Sequence, residues 1–255
     1  MTAQVSMEQV RADLGTLSRA RVFFGHQSVG YNVVDGIRML AAEAGIPLRI
    51  EEVTAQGAIP TGPGLFHARV GENLDPDGKL ASFAGALGGP GEARYDLALL
   101  KFCYVDLDED SKERVPSRLF AHYAGGMQKI EAAHPGVTLL YTTMPLVAEP
   151  PGRKTRLQRL LGMSAATDAA NIRRNDYNRL IRERYAGRRL LDVARIEATR
   201  PDGSIAGFRK SGREIEMLVP EYTSDGGHLN DLGQEQVAAA FLHRIAEALR
   251  ARPTG

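Results

Sequence analysis

Short apolar runs of β type alternate along this chain with longer stretches of helical periodicity. That alternation points to one broad architecture, helices packed on a parallel sheet. The runs at 21–25, 48–53, 97–104, 137–143 and 190–193 read as strands, and the stretches at 32–44, 117–133, 169–185 and 232–249 as helices. In the first helix Val33, Ile37, Leu40 and Ala44 share a stripe, Gly45 suits the position after its end, and Pro47 stops it continuing. Residues 54–93 interrupt the rhythm. Nine Gly and four Pro in forty residues predict a long irregular segment with one short helix near 79–87. Gly125-Gly126 reads as a break in the helix around it, and 200–222 as an irregular arm or hairpin. The expected fold is a single three-layer α/β/α domain over 1–255, its core at 20–250, with a mostly parallel sheet of about five strands.

Composition sets limits on partners and redox chemistry. A chain of 255 residues with 43% hydrophobic and 25% charged residues has the makings of a large soluble core. The net charge of +1 argues against a whole-molecule nucleic-acid or membrane binder. Charge is uneven, however: residues 153–189 hold eleven Arg/Lys against three Asp/Glu. That region reads as a solvated helix face, with a polyanion-binding patch as the alternative. Cys103 is the single cysteine, so no intramolecular disulfide can form. No apolar run is long enough to span a membrane. Residues 1–16 lack a basic segment followed by an apolar one, so no signal peptide is expected and the location follows as cytoplasmic, barring a leader already removed. The six histidines show no metal-ligand spacing, and the glycines of 54–93 form neither a phosphate loop nor a dinucleotide fingerprint. No metal or organic cofactor is expected.

In open parallel sheets functional groups collect beyond the carboxyl ends of the strands. The strand assignments put His26-Gln27-Ser28, Gly57, Asp106 and the turn Ser224-Asp225-Gly226-Gly227-His228 at that edge. A hydroxyl, an imidazole and a carboxylate are what nucleophilic acyl transfer requires. On local sequence alone Ser28 serves equally as a cap of the following helix and Asp225 as a turn former before two glycines. His26 reads as either a substrate contact or a structural partner of Gln27. Cys103, at the end of a buried strand, reads as a small apolar residue and only secondarily as a nucleophile.

The block Asp225-Gly226-Gly227-His228-Leu229-Asn230 resembles the final Asp-x-x-His block of the SGNH hydrolases, the GDSL-type esterases and lipases. Thr142-Thr143-Met144-Pro145 is similar to the end of that family's fourth strand, Asp176-Tyr177-Asn178 to a pair in its penultimate helix, and Leu190-Leu191-Asp192-Val193 to its fifth strand. The resemblance runs over roughly 20–250. It implies a flavodoxin-like fold in which Ser28 is the nucleophile, His228 the base and Asp225 the orienting acid. Two blocks depart from the pattern. Gly25-His26-Gln27 precedes the serine where the family has Gly-Asp, and 101–106 lacks the asparagine that donates to the oxyanion. By the resemblance the backbone N–H groups of Ser28 and Gly57 supply two oxyanion donors. The candidates for a third are Asn32, Gln27 and Tyr104.

The expected function is therefore hydrolysis of a carboxylic ester, a short acyl or acetyl group on a small molecule or carbohydrate, through an acyl-enzyme on Ser28. The alternatives are a relative that binds a carbohydrate or other ligand without turning it over, a polyanion binder using 153–189, and acyl transfer in place of hydrolysis. No nucleic-acid or membrane partner is expected.

Overall fold

The structure is a computed structural model, described for residues 5–54, 61–108, 115–148, 167–187 and 189–252. Its centre is a six-stranded sheet made of β1 (Arg21–His26), β2 (Ile50–Glu52), β3 (Gly64–Arg69), β4 (Leu97–Leu100), β5 (Thr138–Thr142) and β6 (Leu190–Leu191). The spatial order is β2-β3-β1-β4-β5-β6, and every neighbouring pair is parallel. The helices are α1 (Met7–Leu17), α2 (Ser28–Ala44), α3 (Pro76–Leu87), α4 (Pro116–Ala133), α5 (Asp168–Tyr185), α6 (Val193–Ala198) and α7 (Asp231–Arg250). A small antiparallel hairpin, β7 (Gly207–Lys210) with β8 (Arg213–Glu216), forms the expected arm.

The strands are apolar on both faces because helices cover both. Val22, Phe24, Leu65, Leu97, Leu99 and Leu140 point to a core shared with α1, α2, α6 and α7. Their alternates Phe23, Phe66, Ala98, Leu100 and Leu139 point to a second core with α3, α4 and α5. Helix starts are set by side chains that satisfy free N–H groups. Ser6 accepts from the Gln9 N–H to start α1, Asp75 from Gly78 to start α3, and Asn230 from Gly233 to start α7. Gly45, at φ +66°, closes α2 in a left-handed conformation that suits glycine.

Several elements differ from the sequence expectation. The sheet has six strands instead of about five, because β3 lies inside the segment read as largely irregular, whose one expected short helix, near 79–87, is α3. Glycine and proline on either side conceal a run whose strand character comes from non-local pairing, Phe66 beside Phe23 and Ala68 beside Gly25. α2 begins at Ser28, four residues before the expected start, and the third strand stops at Leu100, well short of Tyr104. α4 runs through Gly125-Gly126 without a break. A Cβ at Gly126 would sit 2.5 Å from the Leu80 side chain, so this glycine serves the close approach of α3 to α4. α1 and α6 were not anticipated. Among the described residues no helix is long and apolar enough to cross a membrane.

Candidate active site

β1 is central, and the chain leaves it for β2 and β3 on one side before returning to β4 on the other. In open α/β sheets ligand sites form at such a reversal, here beyond the carboxyl ends of β1 and β4. The residue that follows β1 is Gln27, which precedes the first turn of α2. Ser28 is the first helical residue and is exposed at that edge. Its backbone N–H has no hydrogen-bond partner among the described residues, as expected for the first position of a helix.

The opposite component is the turn between a 3₁₀ segment, Pro220–Tyr222, and α7. Gly226, at φ +95°, lets the chain reverse here. Asp225 Oδ1 accepts from the backbone N–H groups of Gly227 (2.9 Å) and His228 (2.8 Å), and from the Thr223 hydroxyl (3.3 Å). Its other oxygen lies 2.7 Å from His228 Nδ1, and His228 Nε2 lies 3.0 Å from Ser28 Oγ. The network assigns the proton of His228 to Nδ1, with the serine hydroxyl donating to Nε2. Burial by itself would raise the Asp225 carboxyl. The Gly227 and His228 N–H groups and the His228 ring outweigh it and hold the acid well below the usual carboxylate range.

Two contacts fix this turn on the rest of the molecule. Asn32, one helical turn beyond Ser28, accepts from the Leu229 N–H at 3.2 Å, and Ala148 N–H donates to the Gly226 carbonyl at 2.8 Å. Tyr104 closes a third side. Its ring meets the edge of the His228 ring at 6.3 Å and packs so near Gly227 that a Cβ there would stand 2.8 Å from the hydroxyl. The Arg174 guanidinium lies 5.5 Å over the Tyr104 ring while its Nε donates to the Tyr104 carbonyl at 3.0 Å.

The remaining candidates separate clearly. Ser28, His228 and Asp225 form one continuous chain of hydrogen bonds, and Asn32 and Tyr104 stand beside it. Gln27 is nearly fully buried, and its amide nitrogen is spent on the carbonyls of Val70 (2.6 Å) and Gly71 (3.0 Å). His26 is 0% exposed, so it makes no substrate contact from the site. Cys103 is buried as expected. Asp106 is also buried, where it accepts from Lys79 Nζ (2.5 Å), Cys103 N–H (3.0 Å) and Leu74 N–H (2.9 Å). Gly57 lies outside the described residues, as do 153–166 and 188 of the basic region. Several described arginines of that region are paired within the fold. Arg179 pairs with Glu183, Arg182 with Asp192 and Glu216, and Arg189 with Glu131.

Sequence reasoning missed the loop 70–74, which follows β3 and is therefore the neighbour of Ser28 on that side of β1. Leu74 there adopts a left-handed conformation, φ +65°, strained for leucine and held by Asp106. Gly71, at φ +58°, would bring a Cβ within 2.5 Å of the Lys79 backbone nitrogen. Had β3 been recognised, its place beside β1 would have drawn attention to this loop. Also missed was Lys101 at the end of β4. Its Nζ is buried with no hydrogen-bond partner among the described residues, and burial lowers its affinity for a proton.

No protein-family model matches the chain, and no curated protein matches it. Solved structures do share its fold. One, from Bacteroides fragilis NCTC 9343 and provisionally described as an acylhydrolase, is 14% identical with a TM-score of 0.55, the match covering 98% of this chain and 100% of that one. Another, from Streptococcus pneumonia and provisionally described as a platelet activating factor, is 15% identical with a TM-score of 0.50 over 92% and 90% of the two chains.

Proposed function

We propose that this chain is a serine hydrolase of carboxylic esters, acting on a short acyl group carried by a small molecule or carbohydrate. The observation that carries the reading is the unbroken path from Ser28 Oγ through His228 to Asp225, at 3.0 and 2.7 Å, at the exposed start of α2. The provisional description of the Bacteroides fragilis neighbour as an acylhydrolase agrees with it. So does the resemblance of the Asp225–Asn230 block to the final block of the SGNH hydrolases.

In the first step Ser28 Oγ bonds to the ester carbonyl carbon as its proton passes to His228 Nε2. Asp225 keeps the imidazole in the Nδ1–H tautomer and stabilises the cation that forms. Negative charge then builds on the carbonyl oxygen. The free Ser28 N–H, at the positive end of the α2 dipole, is the donor nearest the reacting carbon. Collapse of the tetrahedral adduct breaks the bond to the alcohol, which leaves with the proton from His228. Water, deprotonated by His228, repeats the sequence on the acyl-serine and releases the acid. The side-chain donors beside the triad are Asn32 Nδ2 and the Tyr104 hydroxyl.

The test is turnover of p-nitrophenyl acetate, with a fluorophosphonate probe read by peptide mass spectrometry. The wild type turns over the ester and carries the label on Ser28, and Ser28→Ala loses both. Equal rates from the two proteins, with no label on Ser28, would overturn the proposal.

A further inference from the structure

Behind Ser28 two histidines are stacked inside the molecule, and the catalytic steps above use neither. His26, the last residue of β1, and His67, in β3, have ring centroids 5.2 Å apart, and His26 Nε2 lies 3.0 Å from His67 Nδ1. Both are buried, at 0% and 1% exposure. His26 Nδ1 lies 2.8 Å from the Gln27 carbonyl oxygen. A carbonyl only accepts, so Nδ1 of His26 carries the proton. For the neutral ring, Nε2 is then an acceptor and His67 must donate from its Nδ1. The bond directions thus run His67 to His26 to the Gln27 carbonyl. His67 Nε2 is left as a buried atom without a partner among the described residues, which is the least costly place for a vacancy because it is an acceptor and not a donor.

The Gln27 carbonyl belongs to the same peptide unit as the Ser28 N–H. In a trans peptide the two point in opposite directions, so whatever fixes the carbonyl also aims the N–H. Two donors fix it, His26 Nδ1–H from one side and the Gly30 N–H at 2.8 Å from the helix. Donation to the carbonyl also polarises the peptide and strengthens its N–H as a donor. The sequence makes room for this. A Cβ on Gly30 would lie 2.2 Å from the His26 ring, so the His26-x-Ser28-x-Gly30 spacing is what lets the imidazole lie against the first turn of α2. Tyr31 packs edge-on against both rings, at 4.8 and 5.9 Å, and Phe24 lies against His26 at 4.7 Å.

We propose that His26, oriented by His67, is a positioning residue that locks the Gln27–Ser28 peptide so that the Ser28 N–H faces the oxyanion. The proposal rests on the ester-hydrolase reading of Ser28. Of the two roles read for His26 from sequence, a substrate contact or a partner of Gln27, it takes the second. Burial, reinforced by Lys101 and His67, lowers the His26 pKa to about 3, so the ring stays neutral and keeps this tautomer throughout the ordinary working range.

The test compares His26→Phe, which fills the space without a donor, with His26→Asn, whose amide nitrogen can stand in for Nδ1. His26→Phe should lower kcat for p-nitrophenyl acetate on the order of 10- to 100-fold with KM within about twofold, and His26→Asn should recover most of the loss. A folded His26→Phe with wild-type kcat overturns the proposal, and so does a His26→Asn no better than the phenylalanine variant. If neither variant folds, ¹⁵N spectra of the wild type decide: an Nδ1–H tautomer for His26 supports the proposal, and an Nε2–H tautomer overturns it. Failure of the esterase reading looks different, since wild type and Ser28→Ala would then be equally inactive.

Discussion

Ser28 Oγ and His228 Nε2 lie 3.0 Å apart although 200 residues separate them in the chain. Their meeting depends on Asn32, which stands one turn along α2 from the serine and accepts the N–H of Leu229, next to the histidine. A single helix turn thus carries both the hydroxyl and the anchor for its base.

The third member of the group is tested by Asp225→Asn. The retained oxygen can still accept from the Gly227 and His228 N–H groups, so the turn should persist. The new amide group would face His228 Nδ1 and favour the wrong tautomer. The expected outcome is a fall in kcat of about 10³- to 10⁴-fold with little change in melting temperature. Because the Asp225 pKa is depressed, its contribution is complete above the ordinary carboxylate range and is lost only as pH falls below it. Loss of activity between pH 5 and 7 in the wild type would therefore need another cause.

Cys103 supplies a control on the choice of nucleophile. It is 1% exposed, and its N–H is committed to Asp106. Native protein should react with Ellman's reagent only on unfolding, and Cys103→Ala should keep wild-type turnover at a stability cost of about 1 kcal/mol. A variant that folds but has lost its activity would revive the cysteine as nucleophile.

The Lys79–Asp106 pair is fully buried at both ends, at 2.5 Å. Lys79→Met leaves a buried carboxylate with two backbone donors and without its hydrogen-bonded countercharge. The expected loss is about 3–5 kcal/mol in urea unfolding, since a buried pair is costly to break from one side. Asp106 also holds the Leu74 N–H, so activity should suffer together with stability if the loop after β3 contributes to the site. A loss below about 1 kcal/mol would mean that the pair is not desolvated as the structure has it.

What could be read from sequence follows from how local each signal is. Ser28, Asp225 and His228 sit in short blocks whose spacing survives in any fold, and the strands preceding them are continuous apolar runs, so the sheet edge could be located. β3 could not, because Gly64 and the nearby prolines suppress its propensity and its stability comes from pairing with β1, some forty residues away. The loop after it was lost with the strand. Buried polar pairs such as Lys79 with Asp106, or His26 with His67, leave no local mark either. Their partners are 27 and 41 residues apart, and a lysine in a helix reads as solvated until something is shown to cover it.

Acid should destabilise the fold through His26 in a direction that its burial fixes. In the unfolded chain this group has its ordinary pKa of 6.5, whereas in the fold burial lowers it to about 3. The unfolded state therefore takes up the proton first. Stability from this group is complete above about pH 6.5 and drains away as pH falls toward 3. One proton corresponds to about 1.4 kcal/mol per pH unit, or about 3 kcal/mol between pH 6.5 and 4. His67, whose pKa burial also lowers, acts in the same sense, and Lys101 beside His26 opposes any charge on it. Urea unfolding of the wild type at pH 7, 6, 5 and 4 measures the slope. His26→Asn, which cannot titrate there, should flatten it by about one proton, and an unchanged slope in a folded variant would show that His26 is not held neutral by burial.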